Sequence, residues 1–269
     1  MTFFNLKDGT KIFYKEEGSG APPLVLLHGW SMNSFVWQNQ ITYLSKYYRV
    51  ITPDLKGHGA SDKPQARYTV REFLDESNQL FDKLLSKERF VLCGHSMGGF
   101  ISLSYATDPT LSRKLKALIL CHTTYALKGN PGMKGLGEAL KKGLLGSRQQ
   151  AAENINRTGF NSKFINEHKD FFQKFVQETL KCPEHVLTNC VESWVAEYDC
   201  TDKLAQINIP VLIISSDTDG QMDPKNSQYM KDHIKNSQLV VIKPKIGHHS
   251  MIESPGEFNK AVKGFIDKL

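Results

Sequence analysis

Gly94-His95-Ser96-Met97-Gly98 follows the apolar run Arg89-Phe90-Val91-Leu92-Cys93 and opens a helix-like stretch from Met97 to Tyr105. A serine set between glycines at a strand-to-helix corner is the sequence mark of a nucleophile elbow. The serine has to stand clear of the backbone in a strained conformation. Side chains two residues to either side would collide with the tight turn, so glycine is required there. The helix that follows aims its free N-terminal N–H groups at the place where an oxyanion would form. The string alone is common, and the strand before it and the helix after it supply its meaning. Without them Ser96 would read as a simple helix N-cap.

Working outward, strand and helix signals alternate. Phe3 to Leu6 and Lys11 to Glu17 read as a hairpin around Asp8-Gly9, within an N-terminal stretch (1–14) that alternates like a strand. Pro23 to Leu27 is a solid apolar run, as expected for a parallel strand buried on both faces. Asn33 to Lys46 is helix-like, Arg49 to Thr52 strand-like, and Val70 to Ser86 an amphipathic helix. After the elbow helix, Lys116 to Cys121, Pro210 to Ser215 and Leu239 to Ile242 read as strands, with helices at Pro224 to Ile234 and Pro255 to Leu269. The alternation predicts an α/β fold, a mostly parallel eight-stranded sheet with helices on both faces. Thr123 to Thr201 breaks the pattern with helix formers alone. The expected organisation is a core of residues 1–122 and 202–269 with a helical cap, or lid, inserted at 123–201. Phe164, Phe171, Phe172 and Phe175 fall near one face of one helix in that insertion, and Trp194 follows in the next. Such a stripe either packs the cap on the core or lines an apolar pocket. Together with Trp30 and His95, these residues are the candidates for a substrate pocket.

The chain of 269 residues carries a net charge of +6, with 40% hydrophobic and 23% charged residues. That is ordinary for a globular protein large enough to bury a core. Charges of both signs are interleaved, and the lysine-biased stretch from Lys128 to Arg148 has no aromatic-basic or zinc-type spacing beside it. No nucleic-acid partner is expected. No apolar run approaches membrane-spanning length, so no membrane partner is expected either. The cysteines are Cys93, Cys121, Cys182, Cys190 and Cys200, an odd number without C-x-x-C spacing. With no secretion-type apolar stretch at the N-terminus, they point to a reducing, cytoplasmic setting. Oligomeric state is left open.

A nucleophilic serine needs a base, a group to orient the base, and oxyanion donors. His248, in Lys245-Ile246-Gly247-His248-His249, lies between the last strand and the last helix, at the same sheet edge as Ser96. Gly247 is expected to let that loop turn, and His249 is the fallback base. The orienting carboxylate should follow the strand that ends near Ser215. Asp219 has the better reach, Asp217 is the alternative close to the sheet, and Asp223 before Pro224 reads as a helix N-cap. After Cys121 stand His122, Thr123 and Thr124, with no carboxylate among them. The oxyanion donors expected are the backbone N–H of Met97 and that of Trp30, in the His28-Gly29-Trp30 loop. The histidines show no recognised ligand spacing and the first parallel strand has no dinucleotide fingerprint, so neither metal nor organic cofactor is expected.

These residues resemble the α/β-hydrolase superfamily over nearly the whole chain. The resemblance rests on Leu27-His28-Gly29-Trp30, on Asp54-Leu55-Lys56-Gly57-His58-Gly59-Ala60-Ser61-Asp62, on Gly94 to Gly99, and on Gly247-His248. It implies that the Asp54 to Asp62 loop shapes a turn below the active edge and takes no part in catalysis. One departure keeps Asp217 in play. Members of that superfamily commonly have a proline four residues after the acid, and Pro224 lies one position further on from Asp219. Ser96 argues against the aspartate-nucleophile dehalogenases and epoxide hydrolases. Serine members include carboxylesterases, lactonases, acyl-carrier methyl-ester esterases, C–C hydrolases, perhydrolases and hydroxynitrile lyases. The expected activity is a serine hydrolase cleaving a small or medium, partly apolar carboxylic ester through an acyl-enzyme. The alternatives are a C–C hydrolase, lyase or cofactor-free perhydrolase on the same triad, and a ligand-binding sensor that kept the fold.

Overall fold

The solid apolar runs become the central strands. The structure, a computed structural model, describes residues 2–269, so Met1 of the N-terminal stretch lies outside the described residues. In chain order the elements are β1 (Thr2–Asn5), β2 (Lys11–Glu17), β3 (Leu24–Leu27), α1 (Gln38–Leu44), β4 (Val50–Pro53), α2 (Val70–Leu85), β5 (Phe90–His95), α3 (Met97–Thr107) and β6 (Leu115–Cys121). Then come α4 (Pro131–Lys141), α5 (Arg148–Gly159), α6 (Ser162–Glu167), α7 (Lys169–Thr179), α8 (Glu184–Glu197), β7 (Val211–Ser216), α9 (Pro224–His233), β8 (Ser237–Ile242), α10 (Ser250–Glu253) and α11 (Pro255–Ile266). The eight strands form one sheet in the order β1-β2-β4-β3-β5-β6-β7-β8. The hairpin β1–β2 is antiparallel and joins β4 antiparallel, and every pairing from β4 through β8 is parallel. The expected eight-stranded, mostly parallel sheet is what forms.

Side-chain alternation divides the core in two. Val25, Leu27, Leu92, Leu118, Leu120 and Ile213 face α2, α3 and α9. Leu24, Leu26, Val91, Cys93, Ile119 and Ile214 face α1 and α11 on the other side. This is the period-2 rule applied to strands buried on both faces. The five helices between β6 and β7 serve both halves. Leu140 of α4 and Val186, Val191 and Trp194 of α8 join the first core. Phe160, Phe172, Phe175 and Val176 join the second. The inserted helices therefore straddle the carboxyl ends of the strands. The single helix expected to carry the phenylalanine stripe is two, α6 and α7, which meet at His168 (φ −128°, ψ 46°). Asn33 to Lys46 begins as a 3-10 turn, Ser34–Trp37, before α1.

The Asp54 to Asp62 loop is a turn built around one carboxylate. Asp54 is buried and accepts from the N–H of Ser34 at 2.7 Å and of Ala60 at 2.8 Å. Gly59 has φ +51°, and a Cβ there would lie 2.1 Å from Asp54 Oδ2, so only glycine fits so close to the acid. Removing that acceptor strands two N–H groups. Asp54→Ala should cost about 2–3 kcal/mol and lower the melting temperature by roughly 5–10 °C. Calorimetry checks the shift, and a variant that melts like the parent would mean the loop has another anchor.

Candidate active site

Register brings the chemistry to one edge. Leu27 pairs with Gly94, His95 with Cys121, and Cys121 with Ile214. The residues just beyond those strand ends are His28-Gly29-Trp30, Ser96, His122 and the Asp217–Asp219 loop. The loop after β8 brings His248 to the same edge.

Ser96 has φ 52° and ψ −118°, a left-handed conformation that costs a non-glycine residue energy, and its side chain makes no helix-capping hydrogen bond. A plain N-cap serine would be extended and bonded to the first turn, so the elbow reading fits this geometry and the cap reading does not. The strain is held in place by backbone contacts. A Cβ on Gly98 would lie 2.4 Å from the Leu27 carbonyl oxygen and 2.7 Å from that of His28. The Ser96 N–H donates to Cys121 O at 3.0 Å, and Thr123 Oγ1 donates to Ser96 O at 2.8 Å.

Asp219 and His248 are joined. His248 Nδ1 lies 3.0 and 2.9 Å from the two Asp219 oxygens. Since an ionised carboxylate only accepts, Nδ1 carries the proton and Nε2 presents a lone pair. That Nε2 is buried and has no hydrogen-bond partner, so His248 and Ser96 are not hydrogen-bonded in this structure. Asp217 turns elsewhere and accepts from the N–H groups of Lys245 at 2.9 Å and Ile246 at 3.0 Å. Asp223 caps α9 through the Lys225 N–H at 2.9 Å. Gly247 is needed for a reason other than a turn. A Cβ there would lie 2.6 Å from Gly159 O, while the positive φ in that loop falls at Lys245 (54°).

His122 is the residue that sequence reasoning passed over. Its Nδ1 lies 3.1 Å from Asp219 Oδ2, and its Nε2 lies 2.6 Å from Ser250 Oγ. Its place one residue past a central strand, at the edge that holds Ser96, was the available signal. His95, His122, His248 and His249 converge, with ring centroids 4.6 to 6.0 Å apart, although no ligand spacing in the sequence announces it. The ligand atoms of His122, Asp219 and His248 lie within 4.8 Å of one another, and the hydrogen bonds between them account for that clustering. His249, the fallback base, is wedged between Phe160 and Phe175 (ring centroids 4.4 and 5.1 Å). His95 Nε2 donates to the His248 carbonyl at 2.9 Å.

Burial pushes Asp219 toward the neutral form, but the charge of His248 and hydrogen bonds from His122 and His248 outweigh it and hold the carboxyl below the usual range. Its Oδ1 also accepts from the N–H of Gln221 at 2.9 Å and of Met222 at 2.8 Å. Burial lowers His122 against the pull of Asp219.

Met97 is the first residue of α3, whose N–H has no intrahelical acceptor. The Trp30 N–H meets no backbone carbonyl. His28 fixes this loop: its Nδ1–H donates to Gly29 O at 2.8 Å, and its Nε2 accepts from the Leu55 N–H at 2.9 Å. A cavity of about 650 Å³, part of it open to solvent, lies between Trp30 and Ser31 and the inserted helices, lined by Leu140, Leu145, Ile155 and Leu187 among others. Trp30 lines it, whereas His95, Phe164, Phe171, Phe172, Phe175 and Trp194 do not. Phe172, Phe175 and Trp194 are buried in the two cores, Phe171 stacks on Phe35, and Phe164 stacks on Phe160. Their aromatic area is spent on packing the insertion down.

The helices between β6 and β7 also bond to the loops that carry His248 and Asp219. The His248 N–H donates to Gly159 O at 2.7 Å, and the Gln221 amide donates to Ile155 O at 2.9 Å. The Glu253 carboxylate accepts from the N–H of Gly247 at 3.0 Å and of Asn161 at 2.9 Å.

Comparison with known proteins agrees with this fold. The family described as alpha/beta hydrolase fold matches residues 22–255. The chain is 30% identical, over all of both chains, to a non-heme chloroperoxidase CPO-A1 of Kitasatospora aureofaciens. It is 26% identical to 3-oxoadipate enol-lactonase 1 of Acinetobacter baylyi, covering 93% of this chain and 90% of that one. Among solved structures, a thermophilic esterase from Thermogutta terrifontis superposes with a TM-score of 0.89 at 25% identity, covering 100% of this chain and 99% of that chain.

The buried imidazoles have a consequence for stability. Burial pushes His28 down to about 4 and His58 to about 3, and lowers His95, His122 and His249 as well. As pH falls through the ordinary value of 6.5 the unfolded chain takes up protons that the folded chain refuses, so stability is lost. Glu76, pushed up to about 7 by burial, and Glu253, also raised by burial, act in the opposite direction but are fewer. Each net proton is worth about 1.4 kcal/mol per pH unit. Urea unfolding at pH 7 and pH 5 should show a loss of a few kcal/mol on acidification, and a flat profile would mean these imidazoles ionise in the folded chain.

Proposed function

The chain belongs to the alpha/beta hydrolase fold family, and we propose that within it this protein is a serine hydrolase acting on carboxylic esters. The observation that carries the reading is the Asp219–His248 pair, with the proton on Nδ1 and a buried, unpartnered Nε2, at the same sheet edge as a left-handed Ser96. Ser96 attacks the ester carbonyl and passes its proton to His248 Nε2. Asp219 keeps the imidazole in the working tautomer and offsets its cation. The N–H groups of Met97 and Trp30 take the oxyanion. His248 returns the proton to the leaving alcohol, and water repeats the cycle on the acyl-enzyme. An Nε2 left without a partner fits a site without substrate, because catalytic hydrogen bonds are often long or unformed until substrate binds.

We read residues 123–201 as a cap over a core of 1–122 and 202–269. The cavity beneath it, with its mostly apolar lining, suits the apolar part of a small or medium ester. The expected partner is that small-molecule substrate, with no nucleic acid or membrane. No described helix is long and apolar enough to cross a membrane. A cytoplasmic setting fits five cysteines that are all unpaired. A second reading, a cofactor-free perhydrolase, is favoured by the chloroperoxidase relative. Hydrogen peroxide would then replace water in attacking the acyl-enzyme, releasing a peracid.

Two assays separate these readings. Fluorophosphonate should label Ser96, and p-nitrophenyl esters of short or medium acyl length should turn over. Ser96→Ala should abolish labelling and lower kcat by about a millionfold, and Asp219→Asn by about ten-thousandfold. Labelling without turnover of any ester would remove the esterase reading. Peracid formation from a carboxylic acid and peroxide that outpaces ester hydrolysis would put the perhydrolase in its place.

A further inference from the structure

Asp219 serves two imidazoles. The carboxylate accepts from His248 Nδ1 at 2.9 Å and from His122 Nδ1 at 3.1 Å through the same oxygen, Oδ2. The His122 tautomer follows from its neighbours. Nδ1 faces a carboxylate and so carries the proton, which leaves Nε2 to accept the Ser250 hydroxyl at 2.6 Å. Both His122 and Asp219 side chains are essentially out of water (0% and 1% exposed), so the bond between them is not diluted by solvent. His122 also has φ 48°, a left-handed backbone that costs a non-glycine residue energy.

We propose that His122 is a positioning residue that acts through Asp219, sharing the carboxylate's charge and so setting how strongly His248 holds the serine proton. A carboxylate with a second strong donor pulls less on the first, so His248 is a weaker base than it would be with Asp219 to itself. The weaker base is still matched to the task, because it must give its proton back to the leaving group. The other ionisable groups around His248 are His95 at the end of β5, His249 ahead of α10, Glu253 on the Gly247 N–H, and Asp217 on the Lys245 and Ile246 N–H groups. None of these bonds to the Asp219 carboxylate, so His122 is the imidazole able to draw charge from it besides His248 itself.

The test reads His248 directly, in protein labelled with nitrogen-15 histidine, by NMR titration with no substrate. His122→Ala removes the donor. His122→Asn keeps an N–H near the Nδ1 position and tolerates positive φ. Ser250→Ala leaves His122 in place but weakens it as a donor. The His248 titration midpoint should rise by roughly half a pH unit or more in His122→Ala, move less in the same direction in Ser250→Ala, and return toward the parent in His122→Asn. Urea melts confirm that each variant is folded, and Ser250→Ala carries the test if His122→Ala is not. An unchanged midpoint in the folded variants overturns the role. The kinetic arm alone rests on the proposed ester hydrolysis: the acid limb of kcat/KM should move up with the midpoint. A parent with no esterase activity would overturn the function and leave the NMR result standing.

Discussion

At Gly98, α3 lies so close to β3 that one methyl group would overlap the carbonyl oxygens of Leu27 and His28. That approach forces the chain through a left-handed serine and points the first N–H groups of α3 over the strand ends. It also sets the loop carrying Trp30 beside the elbow, because Gly29 leaves no Cβ to meet the Ser96 side chain, where one would lie 3.1 Å from its Cβ. The candidate nucleophile and both candidate oxyanion donors are thus placed by main chain packed on main chain. Side-chain rotamers have little part in it, which keeps the entropic cost of holding the site low.

The second constraint is electrostatic. A buried carboxylate is costly unless its lone pairs are filled. Asp219 fills them with His248, His122 and the N–H groups of Gln221 and Met222. The same saturation that keeps the acid ionised locks the loop after β7. Asp217, two residues earlier, is spent on the neighbouring loop. One short segment therefore carries two acids with different duties, separated by which loop each can reach.

Much of this was legible in the residues. The elbow, the sheet and the Asp54 turn each leave a local mark: glycine where a Cβ would clash, apolar runs where both faces are buried, an acid where two N–H groups need an acceptor. Asp219 could be ranked above Asp217 by its reach from the strand end, yet only the fold shows what Asp217 does instead. The phenylalanine stripe was visible but its role was not, since a stripe that packs two cores and one that lines a cavity share one spacing. His122 left only its place one residue past a central strand. Nothing around Cys121 announces that a carboxylate distant in sequence will arrive beside it, because that meeting depends on the order β5-β6-β7, which is a property of the whole sheet.

The contacts of Gly159, Ile155 and Asn161 with the loops holding His248, Gln221 and Glu253 bear on how such an enzyme changes through descent. The segment that walls the cavity is wired by its own peptide groups to the loops that carry His248 and Asp219. On the proposed mechanism, remodelling it for a new substrate would disturb the candidate base and acid as well. On the proposed mechanism, specificity and turnover would change together.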